Sequence, residues 1–366
     1  KDIDNTSGSD IAHALRIGNT VVAEVEGVVF KGFVKSVGAN PVIVPYAAAS
    51  IGDLSGVTDN SNQTIKLFVY GSEFKKGTDS MTESVEPNFK TFTNKPMILK
   101  DHFEINGSDT AQIGWVEVTG ESGQGGYLWY LKASGDTNVR FEEYMEMAMV
   151  EAEKSAAGAD ADIPDGSEGL LSAIGSRGIV ATQQFNANPE IGEFDDLLKE
   201  LDKQGAIEEN MMFLDRDANI VIDDLLAGLN AYYSGGTTYG VFNNSEDMAL
   251  NLGFTGFRRG SYDFYKTDWK YLNDKSTRGL TGGLKGVLLP AGSSSVYDQV
   301  LAQNVRRPFL HVRYRASQAD DRRMKTWITG SVGGATASGT DKMEIHYLSE
   351  RCLVVQAANN FIRFDS

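Results

Sequence analysis

Residues 341–364 read DKMEIHYLSERCLVVQAANNFIRF, and this stretch says most about the fold. Isoleucine, leucine and valine recur through 342–355, which predicts a strand.

Short strands with aromatic-rich turns are predicted before this ending, at 239–242, 262–266, 286–290 and 308–315. The chain has 39 glycines and only 8 prolines, and glycines between short apolar segments are typical of turns and hairpins. No internal repeat with a solenoid or propeller period is visible, so the sequence does not indicate a repeat architecture.

Three amphipathic helices are predicted in the middle of the chain. The first has N-cap candidates at 136–138, an apolar face that includes Phe141, and a stop at Gly158. A second helix is expected over 188–205 and a third over 216–233, because apolar residues recur there at helical spacing. Helices and strands together predict an α+β protein.

The N-terminal part differs in character. Residues 1–59 are weakly periodic, with a short β run at 21–37 and an apolar segment at 41–49, and predict an extended arm followed by a little local structure. Residues 60–134 hold strand-like pieces separated by polar turns, which predict a long β-hairpin; the pieces are 64–70, 95–105, 111–118 and 127–131. A hairpin with so little apolar content is not stable alone. A neighbouring molecule is therefore expected to cover its apolar side chains, namely Ile98, Phe103, Ile113, Trp115, Leu128 and Trp129.

Composition excludes several classes of protein. Of the 366 residues 41% are hydrophobic and 23% are charged, which is globular composition. The net charge of −16 is opposite to that of a protein with a basic nucleic-acid surface. Cys352 is the single cysteine, so the chain has neither an internal disulfide nor a multi-cysteine metal site. The apolar runs, such as 41–51, are shorter than the ~18 residues of a membrane span.

Chemical motifs are weak throughout, so no metal, cofactor or catalytic residue is predicted. The four histidines, His13, His102, His311 and His346, are far apart in sequence. Residues 215–219 resemble the start of a calcium loop, but isoleucine and leucine occupy its glycine and closing glutamate positions, so a helix start is the preferred interpretation. The glycine-rich segment 279–286 does not fit a phosphate-binding spacing.

Charge is strongly segregated along the chain. Residues 142–168 carry a net −8 and residues 190–224 a net −9, whereas residues 306–325 carry a net +5. In the strand at 308–315, Leu310, Val312 and Tyr314 alternate with His311, Arg313 and Arg315, so one face should be cationic. Two interpretations stand: a solvated face with internal ion pairs, or a contact with an acidic segment of a neighbouring copy. Binding of nucleic acid by this face is a third, weaker interpretation.

The order of these features resembles the major capsid proteins of tailed bacteriophages, which have the Hong Kong 97 type fold. The text of 341–364 is similar to that family's ending, and the subgroup it resembles most is that of crAss-like phages. The resemblance implies that the strand at 342–355 runs into a turn of small residues and two asparagines at 356–360 and then into a final apolar strand at 361–364. The resemblance implies an N-terminal arm at 1–59, a β-hairpin E-loop at 60–135, and a peripheral domain with a spine helix at 136–180. It further implies an axial domain at 181–340 and C-terminal strands of the peripheral domain at 341–366.

The resemblance also implies a structural function without enzymatic activity. A capsid subunit would assemble with its own copies into hexamers, pentamers and an icosahedral shell around double-stranded DNA, which it would not bind sequence-specifically. Portal and auxiliary or decoration proteins would be its partners, the virion its location and the host cytoplasm its place of assembly. Lys1 would fit an N-terminus left by a prohead protease. The candidate inter-subunit contacts are Arg306, Arg307, Arg313, Arg315, Trp115 and Trp129.

The competing class is a soluble β-rich enzyme or carbohydrate-binding protein. Trp115, Trp129 and Trp269 would then form a platform for sugar rings, and Asp223 with Asp224 would supply paired carboxylates. Adjacent residues on a helix point about 100° apart, so these two aspartates cannot flank one glycosidic bond.

Overall fold

The computed structural model describes all of the chain except residues 1–14, 38–40, 59–64, 80, 82–83, 85–90, 113–116, 120–124, 156–163, 183, 186–190, 206, 233–254, 299–302 and 333–337. The chain divides into two compact units, 1–92 and 93–366. Each unit is described by itself.

The first unit contains an antiparallel sheet. Its strands are β1 (Asn19–Val25), β2 (Val28–Ser36), β3 (Val42–Pro45) and β4 (Lys66–Ser72), in the spatial order β3-β2-β1-β4. A tight turn at Glu26 and Gly27, both with positive φ, joins β1 to β2, as hairpins with two-residue turns require. Val21 and Val34 are fully buried between the sheet and its loops. The predicted β run at 21–37 is confirmed by β1 and β2, and the N-terminal arm at 1–59 stays a prediction.

The second unit contains more strands. They are β5 (Met97–Asn106), β6 (Glu117–Thr119), β7 (Gly125–Tyr127), β8 (Ile179–Thr182), β9 (Glu209–Leu214), β10 (Thr255–Arg259), β11 (Tyr262–Asp268), β12 (Leu284–Pro290), β13 (Ser293–Asp298), β14 (Gln303–Pro308), β15 (Leu310–Tyr314), β16 (Lys325–Gly330), β17 (Lys342–Val355) and β18 (Ile362–Asp365). Its helices are α1 (Gly107–Gln112), α2 (Leu128–Glu151), α3 (Leu170–Arg177), α4 (Ile191–Gln204), α5 (Arg216–Tyr232) and α6 (Lys270–Asn273).

β17 is the centre of one sheet. One edge of β17 pairs with β5 over ten residues, and the other edge pairs first with β16 and then with β15, all antiparallel. α2 packs on one face of this sheet, where Phe141 and Met145 contact Ile345 and Tyr347. The predicted strand at 342–355 is confirmed.

A mixed six-stranded sheet is the second framework of this unit, in the order β10-β11-β9-β12-β18-β8. β18 lies inside this sheet, antiparallel to β12 and parallel to β8, so the predicted final strand is also confirmed. Helices α4 and α5 supply Phe194, Leu201 and Ile222 to its core. Both helices match their predictions in the described residues, and α4 ends before Gly205, whose φ of +64° suits a glycine.

Residues 60–135 differ from the predicted hairpin. The predicted strand at 127–131 is wrong beyond Tyr127, because α2 already begins at Leu128 rather than near 136. A helix also covers 107–112, where a turn and the start of a strand were expected. β4 pairs with β1, and β5 with β17, so among the described strands only β6 and β7 form a local hairpin here. The domain boundaries stay a prediction. In the described part of the chain, no helix combines the length and apolar character needed to cross a membrane.

Candidate inter-subunit surface

The cationic strand β15 has the predicted two faces. Leu310 and Val312 pack into the buried cluster beneath the sheet. In register, Val312 is opposite Leu353 and Arg313 is opposite Cys352 of β17. Because side chains alternate along a strand, His311 and Arg313 lie on the opposite face from Leu310 and Val312. The predicted alternation is confirmed.

Part of the positive charge is neutralised within the chain. Glu350 is only 5% exposed, and its carboxylate lies 3.2 Å from Arg315 Nη1 and 2.5 Å from Arg322 Nε. Asp320 pairs with Lys325 at 2.7 Å. A buried carboxylate needs cationic partners, so Arg315 has a structural role within the chain. The interpretation by internal ion pairs therefore accounts for the 315–325 end.

Arg306 and Arg313 differ from this group. Both are exposed, and among the described residues neither has an ion-pair partner within 4.0 Å. Arg307 is half-buried and has contacts of its own. Burial lowers the pKa of His311, although its Nδ1 lies 2.9 Å from the Pro308 carbonyl oxygen. Because burial favours its neutral ring, the positive charge of this face comes from the arginines at neutral pH.

Two further arginines frame the same end of the sheet. The guanidinium carbons of Arg323 and Arg351 lie 5.2 and 5.1 Å from the ring centroid of Tyr314, within the range of cation–π contacts. Tyr314 is still 38% exposed. The structure thus combines an exposed aromatic ring with several guanidinium groups.

An acidic surface lies on the solvent side of α2. Phe141, Met145 and Met149 face inward and are buried. The intervening Glu142, Glu143 and Glu146 are exposed. Helical periodicity therefore separates an apolar face from an acidic one, as the sequence predicted. Met145 and Met149 pack in the core, as expected of methionines on such a helix.

The tryptophan candidates have different outcomes. Trp115 lies outside the described residues, and Trp129 lies in α2 without a described side chain. Trp269 packs against Phe213 and Tyr271, with ring centroids 6.0 and 5.2 Å apart. Packing on both of these rings argues against Trp269 as a sugar platform.

Among the other residues expected to be covered by a neighbour, Ile98 is 53% exposed. Phe103 is half-buried and packs with the α2 cluster. Ile113 lies outside the described residues, and Leu128 has no described side chain. Of the two side chains that are described, Ile98 lies on the surface and Phe103 packs in the chain's own core.

Strand β4 is an exposed apolar edge that is not among the contacts predicted from the sequence. It pairs with β1 on one side, and no described strand pairs with its other side. Phe68, Val69 and Tyr70 are 61%, 41% and 50% exposed. Successive strand residues point to opposite faces, so both faces of this edge are apolar. The run of consecutive apolar residues 67–70, without polar alternation, was the available signal.

Two of the aspartates considered for other functions, Asp215 and Asp223, have structural partners. Asp215 Oδ1 accepts a hydrogen bond of 2.7 Å from the Ala218 amide and caps α5, which confirms the helix start in place of a calcium loop. Asp223 pairs with Lys266 at 2.7 Å. Among the described residues, no three histidine, cysteine, aspartate or glutamate side chains are grouped to hold a metal ion.

A polar cleft of about 390 Å³ lies between α2, α3, β12 and β18. Its two arginines are both paired: Arg278 with Glu151 at 2.9 Å, and Arg363 with Asp365 at 2.6 Å. Tyr271 donates a hydrogen bond of 2.8 Å to the same Glu151. Burial and this bond raise the pKa of Tyr271. The cleft is therefore lined by ion pairs, of which the pair of Arg278 with Glu151 joins α2 to the segment that precedes β12.

No protein-family model matches the chain, and no curated protein matches it. Solved structures do. Gordonia phage Cozz is similar with a TM-score of 0.40 and 10% identity, over 96% of this chain and 82% of that chain. The capsid structure of cyanophage P-SCSP1u is similar with a TM-score of 0.35 and 9% identity, over 99% of this chain and 92% of that chain. The asymmetric unit of the bacteriophage PhiM1 mature capsid is similar with a TM-score of 0.37 and 10% identity, over 100% of this chain and 90% of that chain. Likenesses this distant do not carry an argument about this chain.

Proposed function

We propose that this chain is a structural subunit that assembles with copies of itself into a closed shell, as a major capsid protein of a tailed phage does. The observation that carries the proposal is the apolar edge of β4. Unpaired edge strands with apolar side chains invite another chain, and isolated proteins rarely expose large apolar patches. A second copy of the chain is the partner that would cover this edge.

Charge complementarity supports the same conclusion. Arg306 and Arg313 are exposed cations without an ion-pair partner within 4.0 Å among the described residues, and Glu142, Glu143 and Glu146 form an exposed acidic stripe on α2. Opposite patches of this kind set the orientation and register of an interface more than its raw affinity. In the proposed assembly, the arginine face of one copy meets the acidic stripe of the next.

A contact between two different patches is a heterologous one. Heterologous contacts close into rings when the rotation between subunits allows it. The proposed rings are hexamers and pentamers, which would build an icosahedral shell in the virion after assembly in the host cytoplasm. The division into arm, E-loop, peripheral domain and axial domain, at the boundaries predicted above, belongs to this proposal.

The net charge of −16 also fits a container for DNA. An acidic wall repels phosphate groups, so packaged double-stranded DNA would not adhere to it. The assembled protein is expected to bind duplex DNA weakly at neutral pH and physiological salt. Portal and decoration proteins would be separate chains that bind to the shell.

Negative-stain electron microscopy with light scattering of the purified native material tests the proposal. Closed shells, or rings of six and five subunits, are the expected result. A monodisperse monomer of about 40 kDa under all salt and pH conditions would overturn it. Submicromolar binding of duplex DNA would count against the container function.

A further inference from the structure

The outer face of the sheet around β17, opposite α2, has an ordered row of aromatic rings. Trp327 of β16 is directly opposite His346 of β17, and His346 is directly opposite His102 of β5. Residues opposite each other on antiparallel strands have Cβ atoms about 5 Å apart and point to the same side. The two histidines are thus cross-strand neighbours, although the sequence separates them widely.

The ring geometry brings the two imidazoles within reach of one ion. The centroids of His102 and His346 are 6.3 Å apart with an interplanar angle of 23°. Two imidazole nitrogens that share a tetrahedral zinc ion lie roughly 3.3 Å apart, because each bond is about 2.0 Å long. To reach this spacing, the two rings would tilt toward each other by rotation about their side-chain torsions.

His346 is already held as a metal-binding histidine is held. Its Nε2 lies 2.7 Å from the Thr329 hydroxyl and 3.3 Å from a Glu344 carboxylate oxygen. An acceptor beside Nε2 favours the proton on that atom, which leaves the Nδ1 lone pair for a ligand.

His102 supplies the second nitrogen. His102 is exposed, and among the described residues its two ring nitrogens have no hydrogen-bond partner. Both rings line a cleft of about 420 Å³ together with Lys100, Asp101 and Glu344. The cleft has room for an ion that keeps water molecules as its remaining ligands.

We propose that His102 and His346 bind a transition-metal dication that favours imidazole, such as Zn²⁺ or Cu²⁺, with water completing the coordination. Imidazole nitrogen selects these ions over Mg²⁺ and Ca²⁺, which prefer oxygen ligands. The site has two protein ligands, so it is consistent with the lack of any three-ligand group among the described residues. It does not depend on the proposed shell function.

Such an ion would join β5 to β17, two strands far apart in the chain. Ligand binding to the folded state alone multiplies the folding equilibrium constant by about 100 when the free ion is 100-fold above its dissociation constant. The ion would therefore act as a reversible cross-link between β5 and β17 and would stabilise this sheet.

The test uses the full chain without a histidine tag. Trp327 reports on the site, because its ring centroid is 5.1 Å from that of His346, and Cu²⁺ quenches a nearby indole. Titration with Cu²⁺ should quench part of the tryptophan fluorescence at micromolar concentration, and Zn²⁺ should compete. Mg²⁺ should have no effect. Trp327→Phe should remove the quenched component.

Variants assign the ligands. His102→Gln and His346→Gln should each weaken binding at least tenfold, measured by equilibrium dialysis as well as by fluorescence, whereas the matched variant His311→Gln should bind as the unmodified chain does. Glu344→Gln should weaken binding about tenfold, as losses of carboxylates behind a ligating histidine do. Circular dichroism confirms that each variant is folded.

Two results would overturn the proposal. One is equal metal binding by the unmodified chain and by the double variant of His102 and His346. The other is the absence of binding to Zn²⁺ and Cu²⁺ at 100 μM, on the order of a hundred times the expected dissociation constant.

Discussion

The ammonium nitrogen of Lys266 lies 2.7 Å from a carboxylate oxygen of Asp223 and 2.7 Å from the side-chain oxygen of Asn219. Lys266 belongs to β11 and is only 3% exposed, whereas Asp223 belongs to α5 and is largely exposed. The pair joins the helix to the six-stranded sheet.

Removal of either partner should have unequal effects on stability. Asp223→Ala leaves a buried ammonium without its carboxylate and should lower the free energy of unfolding by about 2–3 kcal/mol. Lys266→Met removes the buried charge and should be nearly neutral. Asp224→Ala, at the adjacent exposed position, is the matched control and should change stability by less than about 0.5 kcal/mol. Urea unfolding measures all three, and equal losses in the Asp223 and Asp224 variants would contradict the argument.

The cap of α5 makes a pH-dependent prediction. Burial raises the pKa of Asp215 in the folded chain, although the Ala218 amide opposes the shift. A raised carboxyl pKa favours folding below the unfolded value of 3.8, and this contribution is lost as the pH rises through the folded value. Asp215→Asn keeps a cap without a titrating group.

The Asn variant should therefore be at least as stable as the unmodified chain at pH 7. Relative to the unmodified chain it should lose stability as the pH falls toward 3. Asp215→Ala should lose about 1 kcal/mol of stability at neutral pH, because the cap is gone. A stability difference between Asn and Asp that does not change from pH 7 to pH 3 would disprove the effect of burial.

Substitution of the β4 edge should affect assembly more than folding. Phe68→Ser with Tyr70→Ser removes exposed apolar area, which contributes about 25 cal/mol per Å² when a neighbour covers it. We expect the yield of assembled particles to fall at least tenfold, measured by sedimentation, with little change in the unfolding midpoint. Leu280→Ser changes an exposed apolar residue in a turn and should leave the yield unchanged. An equal effect of both variants would contradict a specific role for β4.

Charge reversal tests the proposed contact between Arg313 and α2. Arg313→Glu should lower the yield of assembly about tenfold at low salt, because like charges then face each other. Adding Glu143→Arg to the same chain should restore part of the yield. Lys275→Glu, at an exposed position outside the surface, is the control for net charge. Full assembly of the single Arg313 variant would refute this contact.

Much of the fold could be predicted where local pattern and tertiary environment agree. α4 and α5 carry apolar residues at helical spacing, and that face is buried on the sheet. Residues 342–355 alternate and form β17. Residues 128–131, LWYL, were misjudged because a short apolar and aromatic run does not distinguish a strand from a buried helix. The arrangement of β5 was also missed, because its partner is more than 200 residues away.

The sequence predicted where the charges of the candidate surface lie, but it did not predict which of them form ion pairs within the chain. Arginines at alternate positions of β15 predicted a cationic face. The sequence could not show that Glu350 would be buried and would pair with Arg315 and Arg322, because that depends on the fold of the 315–325 loop. The same holds for His102 and His346, whose contact depends on the register between β5 and β17.

The position of β17 and β18 has a consequence for synthesis of the protein. Each of these late strands lies between others: β17 between β5 and the pair β15 and β16, β18 between β12 and β8. Residues 97–106 therefore leave the ribosome long before their partner exists, whereas the sheet of 1–92 has all its strands early. A chain that stops before residue 342 has lost an interior strand from both major sheets of the second unit. A prematurely terminated chain therefore cannot complete the fold of the second unit, and it would not compete with full-length chains in the proposed assembly.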